Sequence, residues 1–436
     1  MWIIPGGRSS NYLARFGIFL TMAALIVGMV GCVPTQYDLT ISSAEGGEVT
    51  TPGEGTFSYE KGTVVNLTAE ADEGYQFFNW TGNVSAIDDV NAATTTITIN
   101  DDYTITANFA LIIPIWDWYD LDAIRDNLGD SYILMNDLDD TTAGYAELAS
   151  PTANEGKGWQ PIGTDDNWFA GALDGWGYEI RDLFINRPDG KFVALFGTVG
   201  EGNIENIGVV NVTVTGDTWV GGLVGHIQDS TVSNSYVTGN VTGEDYKAGG
   251  LAGCILDTSV SNSYSTVNVN GHKGVGGLAG EIFYGNVINS YSTGNVTGDY
   301  YVGGLVGSLG GYSIVSDSYS TGNVTGNSWV GGLVGDNGGA VSGSYSTGRV
   351  SGGQDVGGLV GKNKAFVNDS FWDIETSGQA TSAGGTGKNT TEMQNIATFS
   401  GTGWDIISVA NPDTRNLSYI WNIVNNVTYP FLSWQP

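Results

Sequence analysis

Six blocks in the second half of the chain share one pattern: G-G-L-[VA]-G, a short variable stretch, then N-S-Y-S-T-G-N-V-T-G or a close variant. The block leucines are Leu223, Leu251, Leu278, Leu305, Leu333 and Leu359, at spacings of 28, 27, 27, 28 and 26. A weaker seventh copy, Val193-Ala194-Leu195-Phe196-Gly197, lies 28 residues before the first. A fixed period of this length means that no single repeat can bury its own apolar face, so the repeats stack into a solenoid. Glycine is abundant, 67 of 436 residues. Because the glycines recur at set places in the blocks, they indicate repeated tight turns and not collagen or disorder.

Within each block, Val232, Val260, Val287, Val315 and Val341 are expected to open a second strand. Tyr236, Tyr264, Tyr291, Tyr319, Tyr345 and finally Phe371 recur at 26–28 residues and should stack in line. Asn240, Asn268, Asn295 and Asn323 should form an asparagine ladder that Arg349 interrupts. The spacing leaves open which of each leucine and its following Val or Ala points inward, since neighbours on a flat strand face opposite ways.

The chain begins differently. Arg8 and Arg15 precede an apolar run, Phe16 to Gly31, that ends on Met29-Val30-Gly31-Cys32. Residues 1–31 read as a targeting segment, and the run resembles a bacterial lipoprotein signal, although Met29 stands where leucine is usual. The resemblance implies acylation of Cys32, a short tether over 32–36, and a membrane anchored but not spanned. Val33 in place of aspartate then favours the outer membrane or cell surface. An ordinary secretory signal is the alternative. Without residues 1–31 the chain carries 13 basic and 46 acidic residues, a surface that repels phosphate backbones and excludes nucleic acid as a partner. Cys254 is the other cysteine, so no disulfide framework is expected.

Residues 37–110 read as a small all-β module. Tyr37 to Ile41 and Thr94 to Ile99 alternate polar and apolar residues, and Gly46-Gly47, Pro52-Gly53 and Glu60-Lys61-Gly62 mark turns. The run 46–53, then Gly74 to Trp80, then Thr104 to Phe109 resembles the divergent internalin-type B-repeat, which implies a spacer module and not an active site. In 111–190, Leu121, Ile124 and Leu128 predict a short amphipathic helix over 120–128 stopped by Gly129. A strand at Tyr132–Met135 and a turn-rich strand pair within 169–180 should follow, completing an N-terminal cap with the first degenerate coils. Residues 191–370 are the regular coils. Residues 371–436, rich in aromatics, are expected to plug the last coil, with Asn389-Thr390-Thr391-Glu392 opening a short helix as a capping box.

The blocks are identified as members of the GLUG motif family, and the closing segment looks like the C-terminal segment such arrays often carry. The resemblance implies a bacterial surface protein; arrays of this kind occur in adhesin-like chains and in immunoglobulin A peptidases. The fold expected is all-β: a right-handed parallel β-helix-like solenoid with caps, preceded by the small module.

Chemistry is sparse. A zinc peptidase needs two histidines one helical turn apart, whereas His226 and His272 are 46 residues apart. The residue after each G-G-L-[VA]-G runs His226, Cys254, Glu281, Ser308, Asp336, Lys362. Stacking puts His226 and Cys254 within reach of each other, yet every charge type appears at this place, as in a freely varying turn. Gly384-Gly385-Thr386-Gly387-Lys388 lacks the Ser or Thr of a phosphate loop. Asp217, Glu244 and Asp299 share a turn position with His272 and Asn327, which suits turn formation, with a weak calcium ladder as the alternative. No cofactor is expected. The place four before each block leucine runs Trp219, Lys247, Gly274, Tyr301, Trp329, Asp355, with Tyr246 and Tyr300 one residue earlier. Trp219, Tyr300, Tyr301 and Trp329 are the candidate binding residues, able to stack on sugars or anchor a partner, or else to seal neighbouring turns. The functional expectation is non-catalytic adhesion or extracellular interaction with an unknown glycan or protein; the alternative is a glycan-binding or polysaccharide-degrading β-helix.

Overall fold

The computed structural model describes residues 35–72 and 74–435. The targeting segment and Cys32 lie outside the described residues. The chain divides into two compact units that meet in sequence at Leu111 and Ile112.

The first unit is all-β, as its alternating residues require. Gln36–Ser43 pairs antiparallel with Gly55–Glu60 and parallel with Tyr103–Ile115, which in turn pairs antiparallel with Tyr75–Gly82. A second sheet joins Gly47–Thr51, Val64–Ala71 and Thr94–Thr98. One face of each strand supplies a common core of Leu39, Ile41, Leu67, Trp80, Ile97 and Ile105. The buried Trp80 indole donates to the Ala92 carbonyl at 3.1 Å, so its polar edge is satisfied.

The second unit is a parallel β-solenoid. One row of strands runs Phe196–Gly200, Val224–Gln228, Ala252–Leu256, Ala279–Phe283, Val306–Leu309, Val334–Asn337 and Val360–Asn363, seven rungs in unbroken order. A second row stacks three-residue strands such as Thr231–Ser233, Ser259–Ser261 and Asn286–Ile288. Val232, Val260 and Val287 sit at the centres of these strands, not at their starts, because a three-residue strand buries only its middle side chain. The third row is longer and bent. It begins at the tyrosines, passes the Asn-Val-Thr segment and ends at the glycine pair, as in Tyr236–Gly249, and in the next coil it is split into Tyr264–Ser265 and Asn268–Gly276.

The G-G-L-[VA]-G block is the corner between the third row and the first. Both the leucine and the residue after it are buried: Leu223 with Val224, Leu251 with Ala252, Leu305 with Val306. Two consecutive residues can face inward because the chain bends at the leucine, where the Leu251 carbonyl accepts from both Leu223 N and Val224 N at 3.1 Å. Each buried leucine contributes roughly 1.5–3 kcal/mol of transfer free energy. The last glycine of the block is set by close approach. A Cβ on Gly253 would stand 2.6 Å from the Trp219 carbonyl carbon, and one on Gly335 2.6 Å from that of Tyr301, so any side chain there would push the corner apart.

The coils are held in register by more than strand pairing. The tyrosines stack as expected: ring centroids from Tyr236 through Tyr264, Tyr291, Tyr319 and Tyr345 are 4.8, 4.8, 4.9 and 5.0 Å apart, the spacing of adjacent strands. The asparagine ladder also forms, and Arg349 ends it, because its side chain offers no acceptor to a further rung. Asn323 Oδ1 accepts from the Arg349 backbone N at 3.3 Å, a bond that needs no particular side chain on the receiving rung. Beside it runs a buried serine ladder through Ser235, Ser263, Ser290, Ser318, Ser344 and Ser370. Each hydroxyl donates to the carbonyl two residues back and accepts the amide of the preceding rung, as when Ser290 Oγ bonds the Ile288 carbonyl at 2.8 Å and Ser263 N at 3.2 Å.

The expected helix after residue 111 begins earlier and is shorter. Asp117 caps an α-helix over Trp118–Ala123 by accepting from Tyr119 N and Asp120 N, and a 3-10 turn follows over Ile124–Asp126. Asp117 overrides the apolar periodicity as the start signal. Trp118, Leu121 and Ile124 are buried with Trp159 against the first coils. At the other end, two parts of the closing segment do different things. Trp372 and residues 381–383 cover the last coil: Thr381 O accepts from Gly358 N, Ser382 Oγ from Val360 N, and Val360 O from Ala383 N. The aromatics beyond them do not plug that end. Met393, Phe399, Trp404, Trp421 and Leu432 pack sideways on Tyr291, Tyr319, Tyr345 and Phe371, because the stacked tyrosines are the larger apolar surface left uncovered. The capping box at Asn389 and Glu392 is present.

Candidate functional site

The candidate aromatic row lies at the same corner, two residues before the glycine pair and at the end of the third-row strand. Trp219, Lys247, Gly274, Tyr301, Trp329 and Asp355 all have left-handed backbone, with φ of 57°, 60°, 71°, 55°, 56° and 50°. Phe192, in the degenerate coil, joins them at 56°. This conformation suits glycine and is strained for an aromatic residue.

Stacking puts most of the ring faces of this row in contact with neighbouring rungs. Phe192 and Trp219 stack at 4.7 Å with their planes 5° apart, and the Lys247 ammonium lies over Trp219 at 5.6 Å from the next rung. Tyr301 and Trp329 are 4.4 Å apart. Lys273 lies over Tyr301 at 5.2 Å and Lys362 over Trp329 at 4.2 Å. Trp329 Nε1 donates to Asp355 Oδ2 at 2.8 Å. Tyr301 and Trp329 are therefore neighbours, and Trp219 stands three rungs from Tyr301. Tyr300 projects beside them, 43% exposed, with its edge against His272.

The row after G-G-L-[VA]-G stacks as its spacing indicates: His226 pairs with Cys254, Cys254 with Glu281, Glu281 with Ser308, Ser308 with Asp336 and Asp336 with Lys362. The His226 ring packs among aromatics, 5.2 Å from Trp168 and 6.1 Å from Trp219. Burial, aided by the Lys247 charge, pushes its pKa down to about 4. Burial pushes the Cys254 thiol up to about 12, against the pull of Lys247. A neutral imidazole beside an undissociated thiol lacks the ion pair that activates a cysteine nucleophile. Lys247 bonds to Glu281; burial opposes its charge, but Cys254 and Glu281 outweigh burial and hold its pKa above the ordinary value.

The turn acids are engaged in local pairing. Asp299 accepts from Asn327 and lies 2.7 Å from His272 Nδ1. Among the described residues, no group of three or more His, Cys, Asp or Glu side chains is arranged to hold a metal ion. The carboxylates of Asp174 and Glu205 stand on paired residues of adjacent rungs; burial, then Asp174, raises the Glu205 pKa. Asp174 meanwhile accepts from Trp176 N and Asn206 Nδ2.

A second aromatic group, at the corner between the first and second rows, did not emerge from the repeat pattern. Phe283 and Tyr284 pack edge to face at 4.4 Å, and Tyr284 and Tyr312 stack at 5.8 Å. Tyr312 is 88% exposed. Tyr284 and Tyr312 also have positive φ, 56° and 62°. These residues fall in the variable stretch between the two conserved parts of the block. The one signal in the sequence is that aromatics replace the Asp229 and Asp257 of earlier coils.

Residues 37–113 match the family model of the Divergent InlB B-repeat domain, and residues 216–242, 271–297 and 298–325 match that of the GLUG motif. A protein of Evansella cellulosilytica named "Putative Gly-rich membrane protein" is 40% identical over 99 residues, covering 22% of this chain and 10% of that protein. Halomucin of Haloquadratum walsbyi is 34% identical over 111 residues, covering 24% of this chain and 1% of halomucin. The chain thus spans a tenth or less of the length of these curated relatives. Among solved structures it is similar to the crystal structure of a "putative immunoglobulin A1 protease" from Bacteroides ovatus, with a TM-score of 0.51, 22% identity, and coverage of 75% of this chain and 93% of the other. At that identity the likeness establishes the fold alone.

Proposed function

We propose that this chain is a non-catalytic protein of the cell surface, anchored through an acylated Cys32, that acts in adhesion or another extracellular interaction by presenting aromatic corners on a rigid solenoid. The observation that carries the reading is the Tyr284–Tyr312 pair, stacked with Tyr312 largely in solvent on a scaffold whose other ring stacks are used up by neighbouring rungs. Exposed aromatic faces supply large contact area at little entropic cost. The names of the similar proteins, a membrane protein and a halomucin, agree with an envelope location. The protonated state of Cys254, the neutral state of His226 and the spacing of the two histidines support the absence of catalysis.

The original candidates take a different place in this reading. The faces of Trp219, Tyr301 and Trp329 are covered by neighbouring rings and by Lys247, Lys273 and Lys362, so they suit sealing of the turns better than stacking on a sugar face. Tyr300 remains a contact residue.

The test is an array of glycans and extracellular matrix proteins probed with the mature chain and with a Tyr284→Asn, Tyr312→Asn variant. Asparagine tolerates positive φ, so the fold should be kept. Binding by the parent with at least a tenfold loss in the variant, at an unchanged melting temperature, is the expected result. Equal binding by both would move recognition away from this corner, and a parent that binds nothing on the array would end the adhesion reading. The alternative, polysaccharide cleavage, draws only on the Asp174–Glu205 pair and predicts reducing ends released from polysaccharide that Glu205→Gln abolishes.

A further inference from the structure

At the end of the solenoid the closing segment continues two of the three strand rows and passes by the other. Residues 381–383 run along the edge of the first row, where Gly358 N donates to Thr381 O and Ala383 N to Val360 O. Thr386–Lys388 pairs in parallel with Phe371–Asp373 and so extends the third row. The chain crosses from one to the other through Gly384 and Gly385 alone, a short cut that adds nothing to the second row. The last second-row strand, Phe366–Asn368, pairs with Ala340–Ser342 on its inner side. Among the described residues no strand pairs with its outer side. At the opposite end the same row is continued by Ala172–Asp174 and Ser131–Leu134.

The backbone groups of this edge point outward. Phe366 N donates to the Gly339 carbonyl at 3.3 Å, so the polar groups of Phe366 face the preceding coil. Successive residues of a strand turn their N–H and C=O to opposite sides, so those of Val367 face away from the solenoid. Gly384 approaches only the Val367 side chain, where a Cβ would stand 2.6 Å from Val367 Cγ2. Exposed edges are commonly blunted by a lysine, a proline or a bulge. Phe366–Asn368 has no lysine, no proline and no break in register.

A second observation falls on the same strand. The outward-facing place that opens each second-row strand is polar in the earlier coils, Asn203, Thr231, Ser259 and Asn286, then apolar in Ile314, Ala340 and Phe366. Ile314 is 40% exposed and Phe366 71%. The apolar column thus ends on an unpaired edge, and its last ring lacks the side chain of a next rung to lie against. Unpaired N–H and C=O groups at strand spacing are matched by the regular alternation of another polypeptide backbone. A second solenoid stacked end on does not fit, because residues 381–383 and Thr386–Lys388 already hold the next-rung places in the first and third rows. A single extended strand does.

We propose that Phe366–Asn368 is a strand-addition site for an extended segment of a partner protein, which pairs its backbone with Val367 and lays an apolar side chain on Phe366. The site lies two coils beyond Tyr312 and depends neither on the Tyr284–Tyr312 corner nor on the adhesion reading.

The probe is a fluorescein-labelled peptide with the sequence of residues 311–318, Gly-Tyr-Ser-Ile-Val-Ser-Asp-Ser, a second-row strand that pairs with others of its row in the folded solenoid. Fluorescence anisotropy reads its binding to the mature chain, and hydrogen exchange with mass spectrometry reads protection of residues 364–370. Two further peptides carry N-methyl groups at alternate residues, in complementary sets. An added strand turns one set of its amides to the protein and the other to solvent, so one methylated peptide should lose at least tenfold in affinity and the other should match the unmethylated peptide. On the protein side, Phe366→Asn places there the residue that Asn286 supplies in an equivalent coil, so the melting temperature should hold while the unmethylated peptide binds at least threefold more weakly. No saturable binding, equal affinity of the two methylated peptides, absence of new protection over residues 364–370, or affinity unaltered by Phe366→Asn overturns the proposal.

Discussion

At the scale of single residues, the left-handed row shows how one position serves two opposed demands. Gly274 relieves the backbone, whereas Trp219, Tyr301 and Trp329 accept strain and gain ring contacts with adjacent rungs. Replacing Trp329 by alanine loses the Tyr301 and Lys362 contacts and keeps the strain. Replacing it by glycine loses the same contacts and releases the strain. Both variants should melt below the parent, and the glycine variant should be the more stable by about 1 kcal/mol, the cost of a left-handed Cβ; chemical denaturation of the three proteins measures it. The same corner predicts a pH effect. His226 titrates near 6.5 when unfolded and near 4 when folded, because burial and Lys247 disfavour its charge. Its contribution is complete above pH 6.5 and is lost as pH falls toward 4, since the unfolded chain takes up the proton first. The fall in melting temperature between pH 7 and pH 4.5 should therefore be smaller in His226→Phe, which keeps an aromatic ring among Trp168, Phe192 and Trp219. An identical fall in both proteins would show that His226 does not carry it.

At the scale of the coil, polar ladders rank with apolar burial in deciding register. Ser290 occupies a buried rung where its hydroxyl is the partner of Ser263 N. Ser290→Ala leaves that amide unpaired inside the solenoid and should cost about 1–3 kcal/mol, read as a lower midpoint in urea. A surface change such as Thr293→Ala should cost far less. Coils touch mainly their neighbours, so removing Gly250 to Gly276 rejoins Gly249 to Gly277-Leu278 in the original pattern and should leave a cooperative, shorter solenoid. Removing Gly250 to Ser263 instead puts a third-row segment, beginning at Tyr264, where a first-row strand belongs and should abolish the cooperative melt. Circular dichroism melts compare the two. Much of this level was legible beforehand: the period, the tyrosine stack and the asparagine ladder each follow from recurrence. The serine ladder was present in the same repeats and went unread, because a small polar residue beside an exposed turn gives no sign of burial until the rung above it is placed.

At the scale of the whole molecule, a chain with 46 acidic and 15 basic residues spends several of its lysines on one face. Lys247, Lys273 and Lys362 lie over aromatic rings at the same corner, and Lys247 is also paired with Glu281, so these charges are engaged in holding neighbouring rungs together. Among the described residues no helix is long and apolar enough to cross a membrane. The membrane attachment proposed at Cys32 therefore has its own test. The parent should incorporate labelled palmitate and partition into detergent, and Cys32→Ser should do neither; unchanged partitioning would remove the lipid anchor.

The sequence alone determined the repeat, and with it the solenoid, because stacking identical short units is the one way such units bury their apolar residues. It also marked which positions would line up from rung to rung, since a fixed period places equivalent residues one strand spacing apart. Tertiary structure decided what those alignments meant. That Leu223 and Val224 both face inward depends on a bend at the leucine, and a bend is invisible to strand alternation. That Trp219 and Tyr301 show edges and not faces follows from contacts with neighbouring rungs. That the closing aromatics lie along the tyrosine stack depends on which apolar surface remained uncovered after Trp372 and residues 381–383 had closed the last coil.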